Sequence, residues 1–230
     1  MSNNNVAVIT GGSKGIGRAL TDLFIEKGFI VYTSSRDISE LENLNEPRIK
    51  ALSADLSKKE EVLRFGKWIE ESTDKVDVLI NNVGVFIPGK LTEEDDGLFE
   101  QQVNLNLGAT YHLTRSVLPL IRKSNKGHIF NICSTASITP YINGGSYCIS
   151  KYAQYGLTKV LREELKPEKI KVSAVLPGAT LTDSWRGTDL PEDRFIKPAT
   201  VAQLIWSAYK VEDFSVMEEI LIRPLDGDIT

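Results

Sequence analysis

The 230-residue sequence holds only two cysteines, Cys133 and Cys148, and two histidines, His112 and His128. Two cysteines cannot build a disulfide framework, their spacing fits no zinc motif, and two isolated histidines make no metal site. A free cysteine beside a core strand reads as a small buried hydrophobe, so neither is taken as a nucleophile. Long apolar runs are missing as well, and nothing approaches the ~20 residues of a membrane-spanning helix. Polar Ser2-Asn3-Asn4-Asn5 runs directly into Val6-Ala7-Val8-Ile9, a stretch too short for a signal peptide. Neither sign of charge dominates: 27 Lys and Arg stand against 31 Asp and Glu, for a net charge of -4. That balance lacks the electrostatic footprint of a nucleic-acid or anionic-membrane binder. No repeat, low-complexity tract or Pro/Gly-rich linker divides the chain. The expectation is one domain over residues 1–230, cytoplasmic, with a small molecule as partner.

What is present alternates. Val6 to Thr10, Phe29 to Ser34, Ile49 to Ser53, Val76 to Asn81, His128 to Cys133, Ile170 to Leu176 and Glu219 to Ile222 read as short, nearly continuous apolar strands. That character suits a parallel sheet covered on both faces. Between the strands, Ile16, Leu20, Leu23 and Phe24, then Val62, Phe65, Trp68 and Ile69, recur at helical spacing. Strand and helix in turn predict an α/β, doubly wound parallel sheet, a Rossmann fold of about seven strands. The least regular stretch, 179–198, follows a strand and is expected to be a mobile substrate loop that includes Trp185.

The first strand leads into Gly11-Gly12-Ser13-Lys14-Gly15-Ile16-Gly17 and then an amphipathic helix. A pyrophosphate needs backbone N–H groups at a helix N-terminus and glycines where side chains would block its approach. The spacing is G-x-x-x-G-x-G, and its plainer meaning is a tight strand-to-helix turn; the flanking strand and helix favour nucleotide binding. Further along, Tyr147 and Lys151 stand four apart, on one helical face, where an ammonium is expected to draw the phenol pKa down from about 10.

Together these motifs make the chain resemble the short-chain dehydrogenase/reductase superfamily, in its compact single-domain branch. The resemblance runs from residue 6 to about 182: Thr10-Gly11 through Gly17, Asn81-Asn82-Val83-Gly84, Tyr147 to Lys151, and Pro177-Gly178 with Thr182. It implies an oxidoreductase with Asn106, Ser134, Tyr147 and Lys151 as the catalytic set. Tyr147 would be the acid/base for a carbonyl or alcohol, Ser134 would bond the reacting oxygen, and Lys151 would tune Tyr147 and hold the nicotinamide ribose. Asn106, with Asn104 as the alternative, would bend its helix around a water linking Lys151 to solvent. The implied cofactor-binding residues are Gly11, Ser13, Lys14, Gly15, Ile16, Gly17, Ser35, Arg36, Asp55, Leu56, Asn82, Gly84, Tyr147, Lys151, Pro177, Gly178 and Thr182.

An NAD site usually carries an acidic side chain where this chain has Ser35, whereas Arg36 and Lys14 offer cations to a 2'-phosphate. NADP(H) is therefore expected ahead of NAD(H). Asp37 is a rival ribose ligand, but Asp37-Ile38-Ser39-Glu40 also has the form of a helix cap. Ser57 with Glu60 is read as the next cap, which would leave Asp55 free for the adenine. Substrate is expected against Ile138 to Gly145 and Ala179 to Lys197, which suits a small or medium carbonyl. A dinucleotide-binding regulatory protein without chemistry is the competing class. The tail 219–228 replaces the glycine-rich ending of many members, so the expected homodimer or homotetramer is assigned to helices at 95–121 and 147–165.

Overall fold

The computed structural model describes residues 5–185 and 187–229. Seven strands, β1 (Val6–Thr10), β2 (Ile30–Ser35), β3 (Ile49–Ser53), β4 (Val78–Asn81), β5 (His128–Ile132), β6 (Lys171–Pro177) and β7 (Glu219–Ile222), form one sheet. Their order is β3-β2-β1-β4-β5-β6-β7, and every pairing is parallel. The order reverses between β1 and β4, which opens a crevice at the carboxyl ends of those strands, where ligands of such sheets bind.

Among the described residues seven α-helices accompany the sheet: α1 (Gly15–Glu26), α2 (Ser39–Glu42), α3 (Lys59–Ser72), α4 (Leu98–Val103), α5 (Ala109–Ile121), α6 (Gly145–Leu165) and α7 (Pro198–Lys210). Strand side chains alternate between two cores, as the two-residue period requires. Val6 and Val8 join Phe65, Ile69, Leu113, Val117 and Leu161 from α3, α5 and α6. Ala7 and Ile9 join Leu20, Phe24, Val201 and Ile205 from α1 and α7 on the opposite face. There Phe24, Phe29, Trp206 and Tyr209 meet as a ring cluster, Phe24 and Phe29 edge to face at 5.0 Å. Among the described residues no helix is long and apolar enough to cross a membrane.

Element edges differ in small ways from the sequence reading. β2 starts at Ile30 and keeps Ser35, while β4 starts only at Val78; buried Asp77 just before it accepts the Val6 N–H at 2.8 Å. The helix expected over 95–121 is interrupted. Residues Asn104–Gly108 form a π-helical segment between α4 and α5, in which the Ala109 N–H reaches back five residues to the Asn104 carbonyl. Such bulges widen a helix locally and recur at functional sites.

Candidate active site

The glycine turn closes the carboxyl end of β1. Gly15, at φ +54°, opens α1, and Lys14 before it is extended and makes no side-chain cap, so the first N–H groups of the helix face the crevice. A Cβ on Gly17 would collide with the Gly11 carbonyl, and one on Gly15 would stand 3.0 Å from Thr182 Cγ2. These glycines thus let the turn pack closely on itself and on Thr182, which comes from far along the chain to roof it. Asn82 locks the turn to β4, donating through Nδ2 to the Thr10 carbonyl at 2.8 Å, while Thr10 Oγ1 accepts from the Asn82 and Val83 N–H groups.

At the end of β2, the hydroxyls of Ser13 and Ser35 bond at 2.7 Å, and no carboxylate stands at that position. Arg36 beside it is exposed, as the distal end of a nucleotide site requires of a phosphate ligand. Lys14 lies within 3.9 Å of Glu40 and 3.8 Å of Asp183, both exposed carboxylates. Asp37 accepts the Ser39 N–H at 2.9 Å, so it is engaged at the start of α2; Ile38 occupies the cap position itself. The expected Ser57/Glu60 cap is not formed: α3 begins at Lys59 after Lys58. Ser57 donates to Asp55 instead, from its N–H at 3.2 Å and its hydroxyl at 2.8 Å. One carboxylate oxygen of Asp55, Oδ1, is therefore engaged in a local turn with Ser57 two residues on, and its Oδ2 carries neither of these bonds. Leu56 is buried in the core with Val62. Ile16 is partly buried against the opposite core.

Ser134, Tyr147, Lys151 and Asn106 converge at the carboxyl ends of β4 and β5. Ser134 Oγ accepts the Ala136 N–H at 3.1 Å, so the turn after β5 fixes its hydroxyl close to the Tyr147 phenol. One helical turn on, Lys151 Nζ lies 5.9 Å from the Tyr147 ring centre. The ammonium donates to the Ile132 carbonyl at 2.8 Å and to Gln154 Oε1 at 2.9 Å. Asn106, fully buried in the π-helical segment, accepts the Val85 N–H at 2.8 Å and returns its own N–H to the Val85 carbonyl at 3.0 Å. Its Nδ2 also donates to Ser150 on α6 at 2.9 Å. Asn104, by contrast, is exposed. Gly84 lies beside this group: a Cβ there would be 3.1 Å from Asn106 Oδ1 and 3.5 Å from Lys151 Nζ.

Burial governs the protonation of the cluster. It pushes the Tyr147 phenol up to about 12, while the Ser134 hydrogen bond draws it the other way. This reverses the direction expected from the Tyr/Lys spacing, because the ammonium is bonded to Ile132 and Gln154 rather than to the phenol. Burial likewise lowers Lys151 to about 8. Cys133 is pushed up to about 11, again by burial, which keeps its thiol protonated and unreactive at neutral pH.

The loops after β4, β5, β6 and β7 surround these groups. Phe86 packs at 4.9 Å from the Tyr147 ring and at 6.2 Å from Tyr141, giving an aromatic wall. Loop 179–198 is pinned at its neck, where Leu181 N–H and Ile196 N–H bond across to the Ile196 and Ala179 carbonyls at 2.9 Å. Inside it, Trp185 rests on Phe195 at 5.1 Å. Pro177 ends β6, and Gly178 faces the tail: a Cβ there would meet Asp228 Oδ1 at 2.8 Å. Asp228 Oδ2 accepts from Arg223 at 2.9 Å, whereas its buried Oδ1 has no protein partner among the described residues. Sequence reasoning missed Phe86, Gln154 and Asp228, and reached Tyr141 only as part of the expected 138–145 substrate segment. Phe86 and Asp228 lie just past the carboxyl ends of strands, a position that could have singled them out.

The short chain dehydrogenase model matches residues 5–192. A sepiapterin reductase from Chlorobaculum tepidum is 31% identical, over 98% of this chain and 98% of its own length. A metagenomic short-chain oxidoreductase solved in complex with NADP superposes at TM-score 0.82, with 29% identity and 96% of each chain covered. A 3-ketoacyl-(acyl-carrier-protein) reductase from Brucella melitensis, complexed with NADH, gives TM-score 0.87 at 26% identity, covering 96% of this chain and 97% of that one.

Proposed function

The chain belongs to the short-chain dehydrogenase family and is an oxidoreductase, and on that premise we propose that it is an NADP(H)-dependent enzyme that reduces a small or medium carbonyl compound, or oxidises the matching alcohol. The observation that carries this reading is the convergence of Ser134, Tyr147 and Lys151 beside the glycine turn roofed by Thr182. Gly11, Ser13, Gly15, Ile16 and Gly17 would take the pyrophosphate side, Asp55 and Leu56 the adenine, and Asn82, Gly84, Lys151, Pro177, Gly178 and Thr182 the nicotinamide half. Relatives of the same fold hold NADP or NADH, so the preference must come from local chemistry. Ser35 supplies no negative charge, and exposed Arg36, with Lys14 nearby, would suit a 2'-phosphate.

When bound, the nicotinamide supplies hydride. Tyr147, protonated at neutral pH, gives its proton to the carbonyl oxygen, and Ser134 donates a hydrogen bond to that oxygen as charge gathers on it. The phenolate left on Tyr147 faces the Lys151 ammonium, which steadies it. Asn106 holds Val85 and the bulge and so sets the position of the loop over Lys151.

Sepiapterin, the substrate named for the 31% relative, is the first carbonyl to test. The Phe86 and Tyr141 rings offer a flat apolar wall, and Asp228 Oδ1 an uncommitted acceptor for a ring N–H. The experiment supplies NADPH or NADH with a panel of ketones and aldehydes, sepiapterin included, and follows loss of the reduced nicotinamide. Consumption of NADPH that depends on the carbonyl is expected. A panel that leaves NADPH untouched would overturn the reading.

A further inference from the structure

Gln154 lies one turn beyond Lys151 on α6 and is fully buried. An ammonium can only donate, so the oxygen of the Gln154 amide must be the atom facing Lys151 Nζ at 2.9 Å. The amide nitrogen then faces α5, where it donates to Thr110 Oγ1 at 2.9 Å. Thr110, also buried, passes its own hydrogen to the Asn106 carbonyl at 3.2 Å. Every link in this chain points the same way, from the ammonium on α6 to the carbonyl inside the π-helical segment. Such polarised chains strengthen in a low-dielectric interior, and removing one member leaves its neighbours unsatisfied.

We propose that Gln154 is the positioning residue for Lys151, fixing its ammonium at the bulge through Thr110 and leaving its third N–H directed at the cofactor side, beside Gly84. The inference rests on the role given to Lys151 above. Without the Gln154 oxygen the ammonium keeps one protein acceptor, the Ile132 carbonyl, in a site where burial already disfavours its charge. The groups that act on it are few. Cys133 faces it from the end of β5 and Tyr147 from its own helix. The bulge and the loop after β4 present Asn106 and Gly84, which do not titrate.

The test uses the full chain and two variants of similar volume. Gln154→Met removes the acceptor, and Gln154→Glu keeps it and adds charge. Lysine side chains labelled for NMR are titrated, with the Lys151 signal assigned by its loss in Lys151→Met, and the pH profile of kcat/KM is recorded beside it. Gln154→Met is expected to lower the Lys151 midpoint and the alkaline limb of activity by about one pH unit, and Gln154→Glu to raise both. Midpoint and limb unmoved in both variants would overturn the proposal. Wild-type turnover by Lys151→Met would instead overturn the role of Lys151, and the NMR midpoints would still decide whether Gln154 holds the ammonium.

Discussion

At the scale of single residues, chemistry divides between groups that react and groups that choose. Ser134 is fixed by the Ala136 N–H close to the Tyr147 phenol, so its hydroxyl is placed before any substrate arrives. Ser134→Ala is expected to lower kcat on the order of 100-fold with a small change in KM, checked by steady-state kinetics. Lys151 sets the pH dependence. Its cation is complete below its pKa of about 8 and is lost above it, so carbonyl reduction falls on the alkaline side of that value. We propose that the choice of nucleotide sits at Ser35 and Arg36. Replacing Ser35→Asp together with Arg36→Leu puts a carboxylate at the ribose position and removes the fork for phosphate. The ratio of kcat/KM for NADPH over NADH should then fall by roughly tenfold or more. Most of these residues were legible in the sequence, because the glycine spacing, the Tyr/Lys spacing and the end of β2 are local patterns. Gln154 was not: an amide one turn past Lys151 looks like helix surface until α5 is known to cover it.

Elements decide where those residues meet. The seven strands could be read from short apolar runs, since a sheet buried on both faces leaves that mark. The π-helical segment left no periodic mark, for Leu105 and Leu107 keep the chain helical in appearance while the hydrogen-bond register shifts by one, and only the family resemblance implied a bend at Asn106. Asn106 stabilises that shift by pairing with both backbone groups of Val85. Asn106→Leu should cost roughly 2–4 kcal/mol, read from urea unfolding, because it orphans buried partners. α6 is held from the opposite loop. Glu94 accepts the Ser146 N–H at 2.8 Å and also the Ser146 hydroxyl, placing a carboxylate at the helix N-terminus just before Tyr147. A pairing across 52 residues gives no local signal. Ser173 on β6 gives its hydrogen to the Met217 carbonyl, so His128 Nε2 on β5 must donate to Ser173, at 2.8 Å, and Nδ1 has no partner among the described residues. Burial holds this imidazole neutral, with its pKa well below 6.5. Below about pH 6.5 the unfolded chain therefore binds more protons than the folded one, and stability falls as the solution is acidified. Thermal melts across that range should show the loss, and His128→Phe should flatten it.

For the whole molecule, apolar surface and the sheet's polarity point to opposite jobs. Phe99, Tyr111, Ile149, Tyr152 and Val160 are exposed along α4, α5 and α6, the helices expected to pair subunits. Exposed apolar groups on adjoining helices suit an interface between copies, and we propose a dimer or tetramer built on them. Light scattering at micromolar concentration should give at least a dimer, and Tyr152→Glu with Val160→Glu should reduce its mass. The carboxyl edge of the sheet gathers the glycine turn, the Tyr147 cluster and four loops around one crevice, where we propose the chemistry takes place. The central claim is that Tyr147 supplies the proton there. It is tested most directly by comparing wild type with Tyr147→Phe for NADPH binding by fluorescence and for carbonyl-dependent NADPH consumption. Both proteins should bind NADPH alike, with turnover in the variant reduced by at least ~100-fold. Turnover undiminished in Tyr147→Phe would contradict the account.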